Sequence, residues 1–302
     1  MVISEFLLRR YASLVSRSKK SEKRRQSPDD YFHWQLETSP ALFELLPNLD
    51  LRDKRVLEIG CGLGGRSAWL AANGPREVVA IDINSAEVAL ARELTRKHCP
   101  QVRNLTFVHS QEDAKSNIGE FDDVLLIDAL EHVQTPYKIL KLMYSYTRPG
   151  GRAYFTTCGW YHHAGSHTGY PFVNLFFSDE TILNVIRWQV SRPDYQPSMW
   201  DSDPPIARWE GIYDLRDRPG EYLNKITIRQ MKKLVRYSSF PVGTLHVLGF
   251  RNPKFKWLNP LSSIPWIQEV VHSFVVGEFR KADSTEDSES AQQPDLAAVP
   301  SS

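Results

Sequence analysis

The chain has 302 residues, with 37 Lys and Arg against 36 Asp and Glu, for a net charge of +1. That length holds one large domain or two small ones, and the even charge argues against a nucleic-acid partner. Three scattered cysteines (Cys61, Cys99, Cys158) form no Cys-x-x-Cys pair, so the chain has no disulfide or zinc framework. No apolar run approaches the ~20 residues of a membrane span, so no stable membrane insertion is expected.

Residues 1–15 read as a short amphipathic helix, apolar at Phe6, Leu7, Tyr11, Leu14 and Val15. Its charges follow the apolar patch and no small-residue cleavage site appears, so it is not read as a secretory leader, and a cytoplasmic location is expected. Ser16 to Asp30 is polar and basic, a solvated linker, and Tyr31 to Leu46 is a helix rich in aromatics. Residues 1–50 are therefore expected to form an N-terminal helical cap with a basic linker, ahead of a main domain at 51–281.

The main domain opens on Val56-Leu57-Glu58-Ile59-Gly60-Cys61-Gly62-Leu63-Gly64-Gly65, a buried strand running into a glycine-rich turn with a helix behind it. Glycines let the backbone turn sharply and approach a ligand, and the helix aims free N–H groups and its positive dipole end at the same place. Gly60, Gly62 and Gly65, with Asp82 about twenty residues on, satisfy the dinucleotide fingerprint. Gly60, Gly62 and Gly64 equally satisfy an acid-x-Gly-x-Gly-x-Gly form, with Glu58 as the acid. A carboxylate at that strand end would repel a pyrophosphate and attract a cofactor bearing an ammonium and a sulfonium.

Further strands are expected at 78–82, 105–109, 121–128 and 152–157, the last entered by the Arg148-Pro149-Gly150-Gly151 turn, with helices at 85–97 and 136–146 between them. This alternation predicts βαβ units and a parallel sheet. Residues 158–225 break the pattern with many aromatics and five prolines (193, 197, 204, 205, 219), leaving room for one longer helix, Ser178 to Gln189. A helix near 227–237 and two strands, 244–250 and 273–279, follow, with Trp257 and Trp266 of the connection expected to pack on the domain edge. From Ala282 the composition is polar, and a disordered tail is expected over 282–302.

Glu58-x-Gly60-Cys61-Gly62-x-Gly64, Asp82, Gln111-Glu112-Asp113, Leu130-Glu131-His132-Val133 and Arg148-Pro149-Gly150-Gly151 together resemble the ordered motifs of class I S-adenosylmethionine-dependent methyltransferases, the small-molecule branch that includes quinone-biosynthesis enzymes. The resemblance covers about residues 53–157. It implies an α/β, Rossmann-like seven-stranded sheet with 244–250 and 273–279 as its antiparallel sixth and seventh strands, and an aromatic lid inserted after strand five. S-adenosyl-L-methionine would be held by Glu58, Gly60, Cys61, Gly62 and Gly64 at the methionine end, Asp82 and Ile83 at the ribose and adenine, Gln111 and Glu112 at the adenine edge, and Asp128 near the ammonium. The implied activity is methyl transfer to an oxygen or carbon of a small-molecule acceptor, with His162, His163 and His167 after strand five, and His132 after strand four, as candidate bases. No metal is required by this reading. The resemblance also offers an alternative in which Asp128, Glu131 and His132, with His162 or His167, hold a divalent ion. An NAD(P)-dependent oxidoreductase and an inactive cofactor-binding regulatory subunit stay open beside it.

Overall fold

The computed structural model describes residues 3–18, 27–110, 118–195, 197, 199–201, 203–214, 222–251 and 253–283. Gln111 and Glu112 lie outside these residues, as do most of the basic linker and nearly all of the 282–302 tail.

Two helices, α1 (Ile3–Ser18) and α2 (Pro28–Phe43), precede the sheet. Then come β1 (Arg55–Ile59), α3 (Gly65–Ala72), β2 (Glu77–Asp82), α4 (Ser85–His98), β3 (Leu105–His109), β4 (Phe121–Ile127), α5 (Pro136–Tyr146) and β5 (Thr147–Thr157). After β5 the chain forms α6 (Val173–Phe176), α7 (Asp179–Val190), α8 (Ile206–Tyr213), α9 (Ile228–Arg236), β6 (Val242–Leu248), α10 (Pro265–Gln268) and β7 (Phe274–Arg280). Helix starts follow local chemistry. Ser27, Asn84, Ser178 and Thr227 each accept backbone N–H groups of the first turn, and Thr227 with Gln230 completes a reciprocal capping box.

The seven strands form one sheet in the order β3-β2-β1-β4-β5-β7-β6. β1 to β5 run parallel, and β7 enters between β5 and β6 antiparallel to both. The sixth and seventh strands thus pair antiparallel as expected, but only β7 runs against the others. β4 is buried along its whole length, as a central strand covered on both faces must be. Alternate residues feed two cores. Leu57, Ile59, Val124 and Leu126 meet α5 and α9 on one face, while Val56, Val78, Leu125 and Tyr154 meet α3 and the end of α2 on the other.

The fifth strand starts earlier than the sequence pattern indicates. Phe121 pairs with Thr147 and Asp123 with Arg152, so β5 advances five residues where β4 advances two. Arg148-Pro149-Gly150-Gly151 is therefore a bulge inside a longer strand. Pro149 cannot donate to the ladder and Gly150 has φ +72, so this stretch cannot pair regularly.

Between β5 and α9 the inserted helices build a core of their own, with Trp160, Val173, Ile182, Ile186, Ile212 and Tyr213 buried together. Leu8 of α1 joins that cluster. The Asn184 side chain donates to Glu5 at 3.0 Å, and the Tyr11 hydroxyl donates to the Pro171 carbonyl at 2.8 Å. The first helix thus belongs to the insertion, while α2 packs on α3 beside the glycine loop. Trp257 and Trp266 depart from expectation: they are 71% and 75% exposed.

Candidate functional site

The loop after β1 owes its shape to backbone that only glycine adopts freely. Gly60, Gly62 and Gly64 have φ of +75, +51 and +78. A Cβ at Gly64 would stand 2.6 Å from the Phe107 ring and 2.9 Å from Ala91. The loop is pinned to β2, where Gly60 and Cys61 donate to the Ile81 carbonyl at 2.8 and 3.2 Å. Gly64 caps α3, and the Gly65 N–H donates to the Gln35 side chain at 3.0 Å. Cys61 is buried with Ala80, Val88, Ala91 and Phe107, and burial pushes its thiol up, so it packs the loop and is no nucleophile.

Four carboxylates stand around this loop, and the one from α4, Glu87, lies 3.4 Å from where a Cβ on Gly62 would be. Glu58 is buried beneath it and accepts from the Ser67 hydroxyl at 2.5 Å. Burial, opposed mainly by that hydrogen bond, pushes its carboxyl up to about 7. Asp82, at the end of β2, accepts from Gly62 N–H and Asn84 N–H, each at 2.9 Å. Each of its oxygens keeps a further lone pair for a ligand hydroxyl. Ile83 beside it is 73% exposed, an open apolar surface at the strand's end. Asp128, just past β4, is held in the left-handed region (φ +48) and accepts from Arg66 at 2.8 Å and from Thr156 at 3.2 Å.

Arg66 has the least expected position. A cation in the first turn of α3 opposes the helix dipole. It is nevertheless 6% exposed, paired with Asp128, and lies 5.7 Å from the Trp34 ring centroid. Its Nε is buried without a partner among the described residues.

A second group stands on the turn after β4. One ligand atom each from Glu131, His132 and His167 lies within 4.8 Å of the others. Thr157 donates to Glu131 at 2.8 Å, and burial raises that carboxyl. His132 Nδ1 donates to the Tyr222 carbonyl at 3.1 Å, which leaves Nε2 as the acceptor nitrogen. Asn224 ties the turn to the insertion by donating from its side chain to the carbonyls of Leu130 and Val133 at 2.7 and 2.9 Å. Burial pushes His167 down to about 3, so its imidazole is neutral.

The three histidines after β5 separate. His167 joins Glu131 and His132, whereas the His162 and His163 rings lie tilted with centroids 3.9 Å apart and His162 meets His272 at 4.8 Å. His162 is 5% exposed, and its Nδ1 accepts the Ala164 N–H at 3.3 Å. Burial pushes it down to about 2. Of the alternative metal set, Asp128 stays with Arg66 and Thr156, and His167 takes its place in the cluster.

A family model described as a methyltransferase domain matches residues 31–202. The chain belongs to the methyltransferase-domain family. The match begins within α2, the helix that packs on α3 beside the glycine loop. Among curated proteins, the chain is 36% identical over 110 residues to the ubiquinone biosynthesis O-methyltransferase of Aromatoleum aromaticum, covering 36% of this chain and 46% of that protein. The protein of the same name from Pseudomonas aeruginosa is 33% identical over 109 residues, covering 35% and 45%. The aligned stretch spans about half the length of these relatives. An S-adenosylmethionine-dependent methyltransferase from Mesorhizobium loti aligns at 16% identity over 82% of this chain and 100% of its own, with a TM-score of 0.47.

Sequence reasoning missed Arg66, Gln35, Ser67 and Thr156 in this methyltransferase domain. Arg66 carried a usable signal, because a cation so soon after a glycine loop needs a compensating anion. Gln35 carried none, since its partner lies thirty residues away along the chain.

Proposed function

We propose that the chain transfers a methyl group from S-adenosyl-L-methionine to an oxygen or carbon of a small-molecule acceptor. The observation that carries this reading is the set of four carboxylates (Glu58, Asp82, Glu87, Asp128) around a glycine loop whose nearest cation, Arg66, is already paired. That field disfavours a pyrophosphate and favours a ligand with two positive centres. The residues present fit the cofactor. Asp82 would take ribose hydroxyls, Ile83 the adenine face, and Asp128 the ammonium, while the buried Nε of Arg66 and the first amides of α3 face a carboxylate. When bound, the cofactor supplies an electrophilic methyl group, and the protein has to orient and desolvate the acceptor. The helices inserted after β5 serve as the lid over it.

Glu131, His132 and His167 also fit a divalent ion, because two imidazoles and one carboxylate already converge. Such an ion would act as a Lewis acid on an acceptor hydroxyl. Without it, His132, whose Nδ1 is engaged by the Tyr222 carbonyl so that Nε2 is the acceptor nitrogen, is the best placed of the four candidate bases.

A thermal-shift titration with S-adenosylmethionine, S-adenosylhomocysteine and NADH tests the cofactor. A ligand at a hundred times its Kd stabilises by ~2.7 kcal/mol, a shift of roughly 5–10 °C. Stabilisation by the two sulfur nucleotides, lost in Asp82→Ala, is expected. A response to NADH alone would overturn the reading. Calorimetric titration with Mn²⁺ or Zn²⁺ tests the second group, and heat unchanged in Glu131→Gln would dismiss the metal.

A further inference from the structure

We propose that the connection between β6 and β7 docks this protein on an anionic phospholipid surface. The connection starts at the end of β6 and returns to the start of β7, where Val275 pairs with Thr157 at the end of β5. It therefore rises from the carboxyl edge of the parallel strands, the same edge that carries the glycine loop. Beyond that edge it projects Trp257 and Trp266, 71% and 75% exposed, with Phe255 at 49% and Ile264 at 37%.

The charge that this connection itself carries has one sign from Arg251 to Gln268. Over that stretch there are three cations (Arg251, Lys254, Lys256), all exposed, and no acid. The first acid beyond, Glu269, is turned inward and accepts the N–H groups of Ile228 and Arg229 at 2.8 and 2.9 Å. Lys232 of α9 donates to Gln268 at 2.6 Å and extends the basic rim.

The surface is also held in shape. The Asn259 side chain accepts from Phe250 N–H at 2.7 Å and donates to the Phe250 carbonyl at 3.1 Å, clamping the base of the loop. The Trp257 indole donates to the Lys254 carbonyl at 3.0 Å. Burying an aromatic side chain of this size stabilises a fold, yet the fold leaves both indoles in water on a fixed scaffold. A protein partner would select against lysine in the centre of the patch. Indoles flanked by lysine are the composition of an element lying at the boundary between lipid headgroups and acyl chains. On the methyltransferase reading, this orientation brings the site to acceptors dissolved in the bilayer. The docking itself stands without that reading.

The test is co-sedimentation of the full chain, without cofactor, with vesicles of phosphatidylcholine alone or mixed with phosphatidylglycerol. Binding to the mixed vesicles only, weakened by salt, is expected. Each cation contributes about fivefold, so Lys254→Gln with Lys256→Gln lowers affinity roughly 25-fold. Trp257→Ala with Trp266→Ala abolishes binding even at low salt, and brominated lipid quenches indole emission in the native chain only. Both double variants keep the native melting temperature and the native response to S-adenosylmethionine, because they change exposed side chains away from the glycine loop. No binding to mixed vesicles, or binding indifferent to these substitutions, would overturn the proposal. So would a dimer that the tryptophan variant dissociates, since the patch would then be a contact between copies of this chain.

Discussion

Glu58→Gln isolates the electrostatic cost at the centre of the site. The carboxyl rests near pH 7 in the fold against 4.5 for an ordinary glutamate, with burial as the main cause. Below pH 4.5 it is protonated in both folded and unfolded chains and costs nothing. Between 4.5 and 7 the unfolded chain releases the proton while the folded chain keeps it, so stability falls as pH rises. Above 7 the whole cost is present, ~3 kcal/mol for the gap between 4.5 and about 7. Glutamine has the same shape, carries no charge and can still pair with Ser67. Urea unfolding should therefore find Glu58→Gln more stable than the native chain by up to ~3 kcal/mol at pH 8, and equal to it at pH 4. At the melting point the gain is on the order of 5–10 °C. The same reasoning makes binding of the cationic cofactor strengthen as pH rises through 7 in the native chain, and stay flat in the variant. A stability difference that does not change between pH 4 and 8 would refute it, because the charge would then not be what the burial opposes.

Gly64→Ala forces a Cβ into a left-handed residue 2.6 Å from the Phe107 ring. A loss of ~2–4 kcal/mol on denaturant unfolding is expected, with cofactor affinity falling alongside it. Arg66 and Asp128 should couple by ~1–3 kcal/mol in a double-mutant cycle of Arg66→Met and Asp128→Asn, read by thermal unfolding. Additive single effects would mean that the pair is held apart in solution. Thr227→Ala removes the capping box of α9 and should cost ~1 kcal/mol without changing cofactor binding, which checks that stability losses alone do not mimic site defects.

The sheet was legible because its strands are buried on both faces and read as unbroken apolar runs, with Val56-Leu57 and Val124-Leu125-Leu126-Ile127 as examples. The bulge in β5 was not, because Pro149-Gly150-Gly151 carries the same local signal whether the chain turns or bulges, and only the pairing of Thr147 with Phe121 separates the two. The place of β7 between β5 and β6 was equally hidden. A seven-residue apolar strand looks the same inserted between two others as it does at an edge. The place of α1 depended on contacts far along the chain, Leu8 with the insertion core and Glu5 with Asn184, which no periodicity encodes.

The histidines illustrate where a motif stops informing. His162, His163 and His167 are close in sequence and invite one role, yet the chain between them folds through successive turns. Gly165 donates to His162 and His167 donates to Ala164, at 2.9 and 3.1 Å. A Cβ at Gly165 would lie 2.5 Å from the carbonyls of Gly159 and Trp160, so the turn closes more tightly than any other residue allows. His167 then takes φ +55, which carries its ring towards Glu131 and His132. His162 is left facing His272 at the root of the β6–β7 connection. The glycine between the histidines therefore divides the segment: on one side is a packing residue, and on the other a neighbour of Glu131 and His132 in the candidate site. A reading that counts histidines without weighing the glycine cannot tell them apart.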